Sequence, residues 1–247
     1  MSRPIQRGAT KQDEGGRGFN IMKPARGAVS AAGGSSPSHT EGNDRRVKAA
    51  GSLLVLGGLV FILLNTVAEG VYPNYNVGSD VLSDLGALGT NTFLLWNGML
   101  FLSGALLILA AYLLFYTENH FRSSAVGRRA NYVGILYILP GIGAIIVSLF
   151  QENSALGAAG VHGFGAMVTF LFGGISAAYA FKLTKAPFRY FSVALGVLTL
   201  AFILVFVMSG GSLEGLTERL VVYPFVLWAI AFGGYLTALS SNDSVAS

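Results

Sequence analysis

The first 47 residues of the chain are small and polar, and no apolar run in them is long enough to form a core. From residue 49 the pattern changes. Six stretches are apolar on every side: 49–68, 93–116, 132–150, 158–181, 190–209 and 220–239. About 20 mostly apolar residues cross the roughly 30 Å of hydrocarbon in a bilayer. Inside hydrocarbon the backbone must satisfy its own hydrogen bonds, so each stretch is predicted to be a helix. Pro140 and Pro224 fall inside the third and sixth stretches, where each removes a helix hydrogen bond and predicts a kink. The expected architecture is all-α. A disordered basic tail (1–47) precedes a six-helix membrane domain (48–240), which is followed by a short C-terminal tail (241–247).

Composition agrees with this pattern. Of 247 residues, 53% are hydrophobic and 11% charged, with mean hydropathy +0.60. Soluble domains carry about 25% charged residues. Cysteine is absent, which excludes disulfides and thiolate chemistry. The net charge of +4 would suit nucleic acid, but the basic residues are placed as membrane topology places them, and no nucleic-acid partner is expected. Nine of the sixteen Lys and Arg lie before the first span, ending at Arg45, Arg46 and Lys48. Arg122, Arg128 and Arg129 follow the second span, and Lys182, Lys185 and Arg189 follow the fourth. The other three connections hold Arg219 alone. Short cytoplasmic loops carry the excess of Lys and Arg, so both termini are expected in the cytoplasm and the bilayer is the expected partner. The tail could touch anionic headgroups, although an inert solvated segment is the simpler reading.

The acidic residues segregate the opposite way. Glu69, Asp80, Asp84, Glu152, Glu214 and Glu218 all fall in the connections expected outside. Three of them, Glu69, Asp80 and Asp84, flank or occupy the first long connection. In the first long connection, Tyr72-Pro73-Asn74-Tyr75-Asn76 has turn chemistry. Ser79 or Asp80 is then placed to cap a short helix that Gly86 would end. Val81, Leu82 and Leu85 would form its apolar side, while Asp80 and Asp84 share a face with Ser83 nearby. Exposed like charges at this spacing cost only a few tenths of a kcal/mol, so Asp80 as a cap and Asp84 as a solvated charge is one reading. The other tucks the helix over the bundle. Asp84 then needs His162, Arg219 or a cation, because burying an unpaired carboxylate is far more costly.

His162 lies in "GAAGVHGFGAM", about one turn inside the fourth span. Ala155, Ala159 and Gly163 recur at four-residue spacing, predicting a face on which a neighbouring helix packs closely. Ionisable groups within a span face the bundle interior or a wet cavity. A histidine hydrogen-bonded for packing fits equally well. Arg219 opens the sixth span beside Glu218, and it is expected to pair with Glu218, Glu152 or a carboxylate of the first connection. An interfacial arginine reaching the headgroups is the alternative.

"YPNY", "SDLGA", "HGFGA" and "GLTER" followed by the interior Trp228 occur here in that order. This order and spacing resemble the membrane-protein family catalogued as domain of unknown function 998, over about residues 48–240. The resemblance implies a six-helix protein of the archaeal or bacterial type. It marks Tyr72, Pro73, Asp84, Gly86, His162, Glu218 and Arg219 as the positions to follow. One departure is visible: the family pattern often has Phe-Pro after the third span, and here Phe150 precedes Gln151.

Together these features point to a multi-pass cell-membrane protein with an outward-facing cluster of carboxylates, imidazole and guanidinium. The candidate ligand-binding residues are Tyr72, Asp80, Asp84, Glu152, His162, Glu218 and Arg219. A structural or lipid- or small-ligand-binding role is preferred, because no complete catalytic motif is present. An intramembrane hydrolase or lipid-modifying enzyme would draw on Asp84, His162 and Ser83, with or without a metal. A proton-coupled transporter would use His162 and the carboxylates as a relay. The residues assign no cofactor, and one histidine among carboxylates specifies a metal poorly.

Overall fold

The computed structural model describes residues 37–115, 125–209 and 211–242. Among them all regular structure is helical. The α-helices are α1 (Pro37–Val71), α2 (Phe93–Phe115), α3 (Ala125–Leu149), α4 (Ala155–Ala158), α5 (Val161–Tyr179), α6 (Phe188–Met208) and α7 (Glu214–Asn242). Residues 1–36, the stretch 116–124 with His120 and Arg122, and 243–247 lie outside the described residues. His39 falls within α1, but its side chain, like those of Arg128 and Arg129 in α3, lies outside the description.

Five helical segments are long and apolar enough to cross a membrane: Asp44–Val71, Phe93–Phe115, Val161–Lys182, Phe188–Met208 and Gly211–Leu239. The described apolar part of α3, Leu136–Leu149, is shorter. Pro140 and Pro224 sit inside α3 and α7. Two helices begin earlier than their apolar stretches. α1 starts at Pro37 and α7 at Glu214, because a helix continues through polar residues where hydropathy stops counting. The extension of α7 contains Glu218 and Arg219, so both stand on a long helix rather than in a loop.

The long helices form a closed ring. α1 packs on α2, α2 on α3, α3 on α5, α5 on α6, α6 on α7, and α7 back on α1. Neighbours run antiparallel, as contacts between them show. Ser103 in α2 bonds Gly57 in α1, while Trp96 bonds Asn65. At the closing seam Gly51 and Gly233 face each other. A Cβ on either would come within 2.5 Å of the other's carbonyl oxygen, so only glycine permits this approach of α1 and α7.

This alternation gathers three connections at one end of the ring: 72–92, 150–160 and 209–213. The other end holds an aromatic stack. Tyr137, Trp228 and Phe232 lie with successive ring centroids 5.1 Å apart and planes within about 12° of parallel. Trp228 Nε1 donates to Ser192 Oγ at 2.7 Å, and Ser192 donates to the Ala177 carbonyl, which ties α7, α6 and α5 together.

The small-residue face expected on the fourth span does not form. Gly160 has φ +97°, which ends α4 and starts α5, so Ala155, Ala159 and Gly163 do not share one helix. All three are exposed. The close approach lies deeper, where a Cβ on Gly165 would meet the Gly143 carbonyl of α3 at 3.0 Å.

Candidate functional site

The first connection folds as a cap over its end of the ring. Asp80 closes a tight turn, accepting the Asn76 N–H at 2.8 Å and the Ser79 hydroxyl at 2.9 Å. The short helix that follows is a single 3-10 turn, Leu82–Gly86. Its capping carboxylate is Asp84, which accepts the Val81 N–H at 3.2 Å, whereas Asp80 serves the turn before it. The two aspartates therefore do not line one helix face as expected. Leu82 and Leu85 are driven inward, 2% and 0% exposed, so this turn lies on the bundle and not in solvent. Gly86 rests flat on the Trp96 indole, leaving no space for a Cβ. Asn97 donates to the Gly86 carbonyl, and Thr92 to that of Leu85.

Arg219 fastens the cap to α7 and α1. Its Nε and Nη2 donate to Glu69 Oε1, at 3.3 and 2.8 Å. Nη2 also donates to the Tyr75 hydroxyl at 2.7 Å. Nη1 donates to the carbonyls of Val77, Asp80 and Gly215. The guanidinium lies over the Tyr75 ring, 5.4 Å from its centroid. All its donor nitrogens are engaged, so it has no interfacial role and no spare donor for a ligand. Tyr75 passes its own proton to the Val81 carbonyl at 2.9 Å. Burial raises the Tyr75 phenol above its ordinary range, against the pull of Arg219, so it stays a donor. Tyr72 packs edge-on against Tyr75 at 5.6 Å and belongs to this clasp.

Glu218, one residue earlier, points elsewhere. Its carboxylate is buried, and Oε2 accepts the Leu82 N–H. Oε1 has no protein partner among the described residues. His162, also buried, uses Nδ1 on the Phe150 carbonyl at 2.9 Å. A carbonyl only accepts, so Nδ1 carries the proton of this bond and Nε2 is the nitrogen turned away from it. Ser83 donates to Glu152 Oε2 at 3.2 Å.

These three side chains, Ser83, His162 and Glu218, line two adjoining cavities. The deeper one runs between α1, α2, α3, α5 and α7. Its wall is apolar, with Phe61, Trp96, Leu100 and Phe225 among its residues. The shallower one lies between α5, α6 and α7 beneath the cap and adds Glu152 and Glu214. It reaches the outside of the ring, where Met167 and Val207 are exposed. Neither cavity has a Lys or Arg in its lining.

The structure thus divides the sequence candidates. His162, Glu218, Ser83 and Glu152 come together at the cavities. Arg219 and Tyr72 belong to the clasp, Asp80 to its turn, and Asp84 caps the 3-10 turn outside either lining. Asp84 has neither His162 nor Arg219 as a hydrogen-bond partner. Its carboxyl is raised above its ordinary range by burial first and by the Glu152 charge next. Glu69, the partner of Arg219, had no motif to mark it beyond the segregation of acidic residues. Glu214 carried the same weak signal. Among the described residues no three of His, Asp and Glu stand together as a metal site.

No curated protein matches the chain, and no solved structure does. A family model matches residues 55–235, which runs from within α1 to within α7 and takes in the clasp and most of the lining of both cavities. The chain therefore belongs to the family described as protein of unknown function DUF998.

Proposed function

We propose that this protein is a multi-pass membrane protein that takes an amphiphilic molecule from the bilayer into the space between its helices. One observation carries this reading. An apolar chamber shares Ser83, His162 and Glu218 with a second cavity, whose lining includes the exposed Met167 of α5 and Val207 of α6. Ligand sites pair an apolar wall with a few convergent polar groups, as here. A side entrance facing hydrocarbon suits a molecule already dissolved in the bilayer.

In this proposal α3 also crosses the bilayer, which makes six spans, both termini are cytoplasmic, and the capped end faces outward at the cell membrane. The distribution of Lys and Arg supports the orientation. Binding is preferred over hydrolysis for a geometric reason. Ser83 donates to Glu152, and His162 presents its protonated nitrogen to a backbone carbonyl, so the serine and imidazole do not form a nucleophile–base pair.

The test is Ala166→Trp, which fills the junction that both cavities share. Mass spectrometry of organic extracts should find an amphiphile held by the purified protein and lost from the variant. Identical extracts from two folded proteins would reject the reading.

A further inference from the structure

The polar junction has an electrostatic bias. Glu218, Glu152 and Glu214 line the outer cavity, and no Lys or Arg lines it. The nearest guanidinium, Arg219, is engaged on every nitrogen by Glu69, Tyr75 and three carbonyls. A second observation concerns single atoms. Glu218 and His162 are both more than nine-tenths buried and both line the junction. Glu218 Oε1 and His162 Nε2 each lack a protein partner among the described residues. With Glu218 ionised and His162 neutral both are acceptors, and the Ser83 hydroxyl already donates to Glu152. Both side chains line the cavities, and the protein offers neither atom a donor, so a donor there comes from what occupies the cavity.

Resting on the cavity reading above, we propose that the amphiphile bound here ends in a protonated amine, seated among Glu218, Glu152 and His162 with its chain in the apolar chamber. An ammonium supplies three donors and a positive charge, against two open acceptors and three carboxylates. A carboxylate or phosphate end would meet like charge without a cation to offset it. An alcohol would supply one donor and no charge.

The experiment uses the full chain in maltoside micelles. The protein has two tryptophans, and Trp96 lines the chamber while Trp228 does not. A bromine at the chain end therefore quenches Trp96 only when the chain enters. The probes are 12-bromododecylamine, 12-bromododecanol and 12-bromododecanoate at pH 7. The amine is expected to saturate at a concentration at least tenfold below the alcohol, and the carboxylate to bind weakest. Glu218→Gln keeps an acceptor for the Leu82 N–H and should erase the amine's advantage. Glu152→Gln, at an exposed position, should reduce it without threatening the fold.

Lauroyl lysophosphatidylethanolamine, a zwitterionic lipid whose head ends in a protonated amine, separates two sources of that group when used as a competitor. Displacement as strong as that by dodecylamine assigns the site to zwitterionic lipid, and weaker displacement assigns it to a free long-chain amine. An amine that binds no tighter than the alcohol, with quenching still saturable and lost in Ala166→Trp, overturns the charge inference and leaves the cavity reading standing. No saturable quenching by any probe overturns both.

Discussion

Arg219 and Glu69 stand 150 residues apart in the chain and 2.8 Å apart in space, with side chains 5% and 18% exposed. Glu69 is also held by the Asn65 amide, whose oxygen accepts the Trp96 indole N–H. The last turn of α1, the start of α2 and the first turns of α7 are thereby locked under one cap. Removing one member of a buried pair leaves the other uncompensated, which costs about 3 kcal/mol or more. Glu69→Gln should therefore lower the thermal midpoint in detergent markedly. Arg219→Lys should do the same, because three donors on one nitrogen cannot reach five acceptors. Replacing both residues with methionine should recover part of the loss. An unchanged midpoint in Glu69→Gln would mean that the pair is not holding the cap.

Gly86 and Trp96 give a steric counterpart. A methyl group at 86 would fall on the indole, which has rigid ring atoms on one side and the Asn97 amide on the other. Overpacking of this kind costs roughly 1–3 kcal/mol. Gly86→Ala is expected to lift the 3-10 turn, with a red-shifted Trp96 emission and faster proteolysis between Tyr72 and Thr92. A variant with wild-type emission and cleavage would show that the cap yields without cost.

Much of this was legible before any coordinates, and the limits have physical causes. Hydrophobic stretches of full membrane length show themselves by composition alone, which is why α2 and α6 fall where the pattern put them and α5 and α7 overlap their expected stretches. The start of α1 did not, since a helix passing from Val47 back to Pro37 carries no hydrophobic signal. The single left-handed Gly160 split the expected fourth span, and no spacing rule distinguishes that glycine from Gly163 beside it. Pairing across the ring was the least legible. Glu218 and Arg219 are neighbours in sequence, yet one lines the cavity and the other grips the cap. That division follows from helix periodicity only once the neighbours of α7 are known.

Asp84 predicts a pH dependence. Its carboxyl is raised above the ordinary 3.8 by burial first and the Glu152 charge second. The folded state therefore holds the proton more tightly than the unfolded chain does. Such a group favours folding fully below about 3.8 and loses that contribution as pH rises through its folded value. At pH 7 the charged form is a burden on the fold. Asp84→Asn keeps an oxygen for the Val81 N–H and removes the charge, so it should melt higher than wild type at pH 7. The difference should shrink as pH falls toward 4. Glu152→Gln should narrow it at pH 7 as well. A difference that grows on acidification has the wrong sign and would rule out this account.

The absence of cysteine makes the orientation directly measurable, since any introduced thiol is the only one. Val77 is exposed on the cap, and Lys185 is exposed in the connection between α5 and α6 at the opposite end. With the cap outward, Val77→Cys should react with a membrane-impermeant maleimide in intact cells. Lys185→Cys should react only after permeabilisation. The reverse pattern would invert the protein and open the α5–α6 cavity to the other leaflet. Labelling of both without permeabilisation would contradict a span between them. The expected pattern follows from charge: Lys182, Lys185 and Arg189 crowd one connection, while the lone cation at the capped end is neutralised by Glu69. A chain inserting by the excess of Lys and Arg would retain the first end in the cytoplasm and release the second.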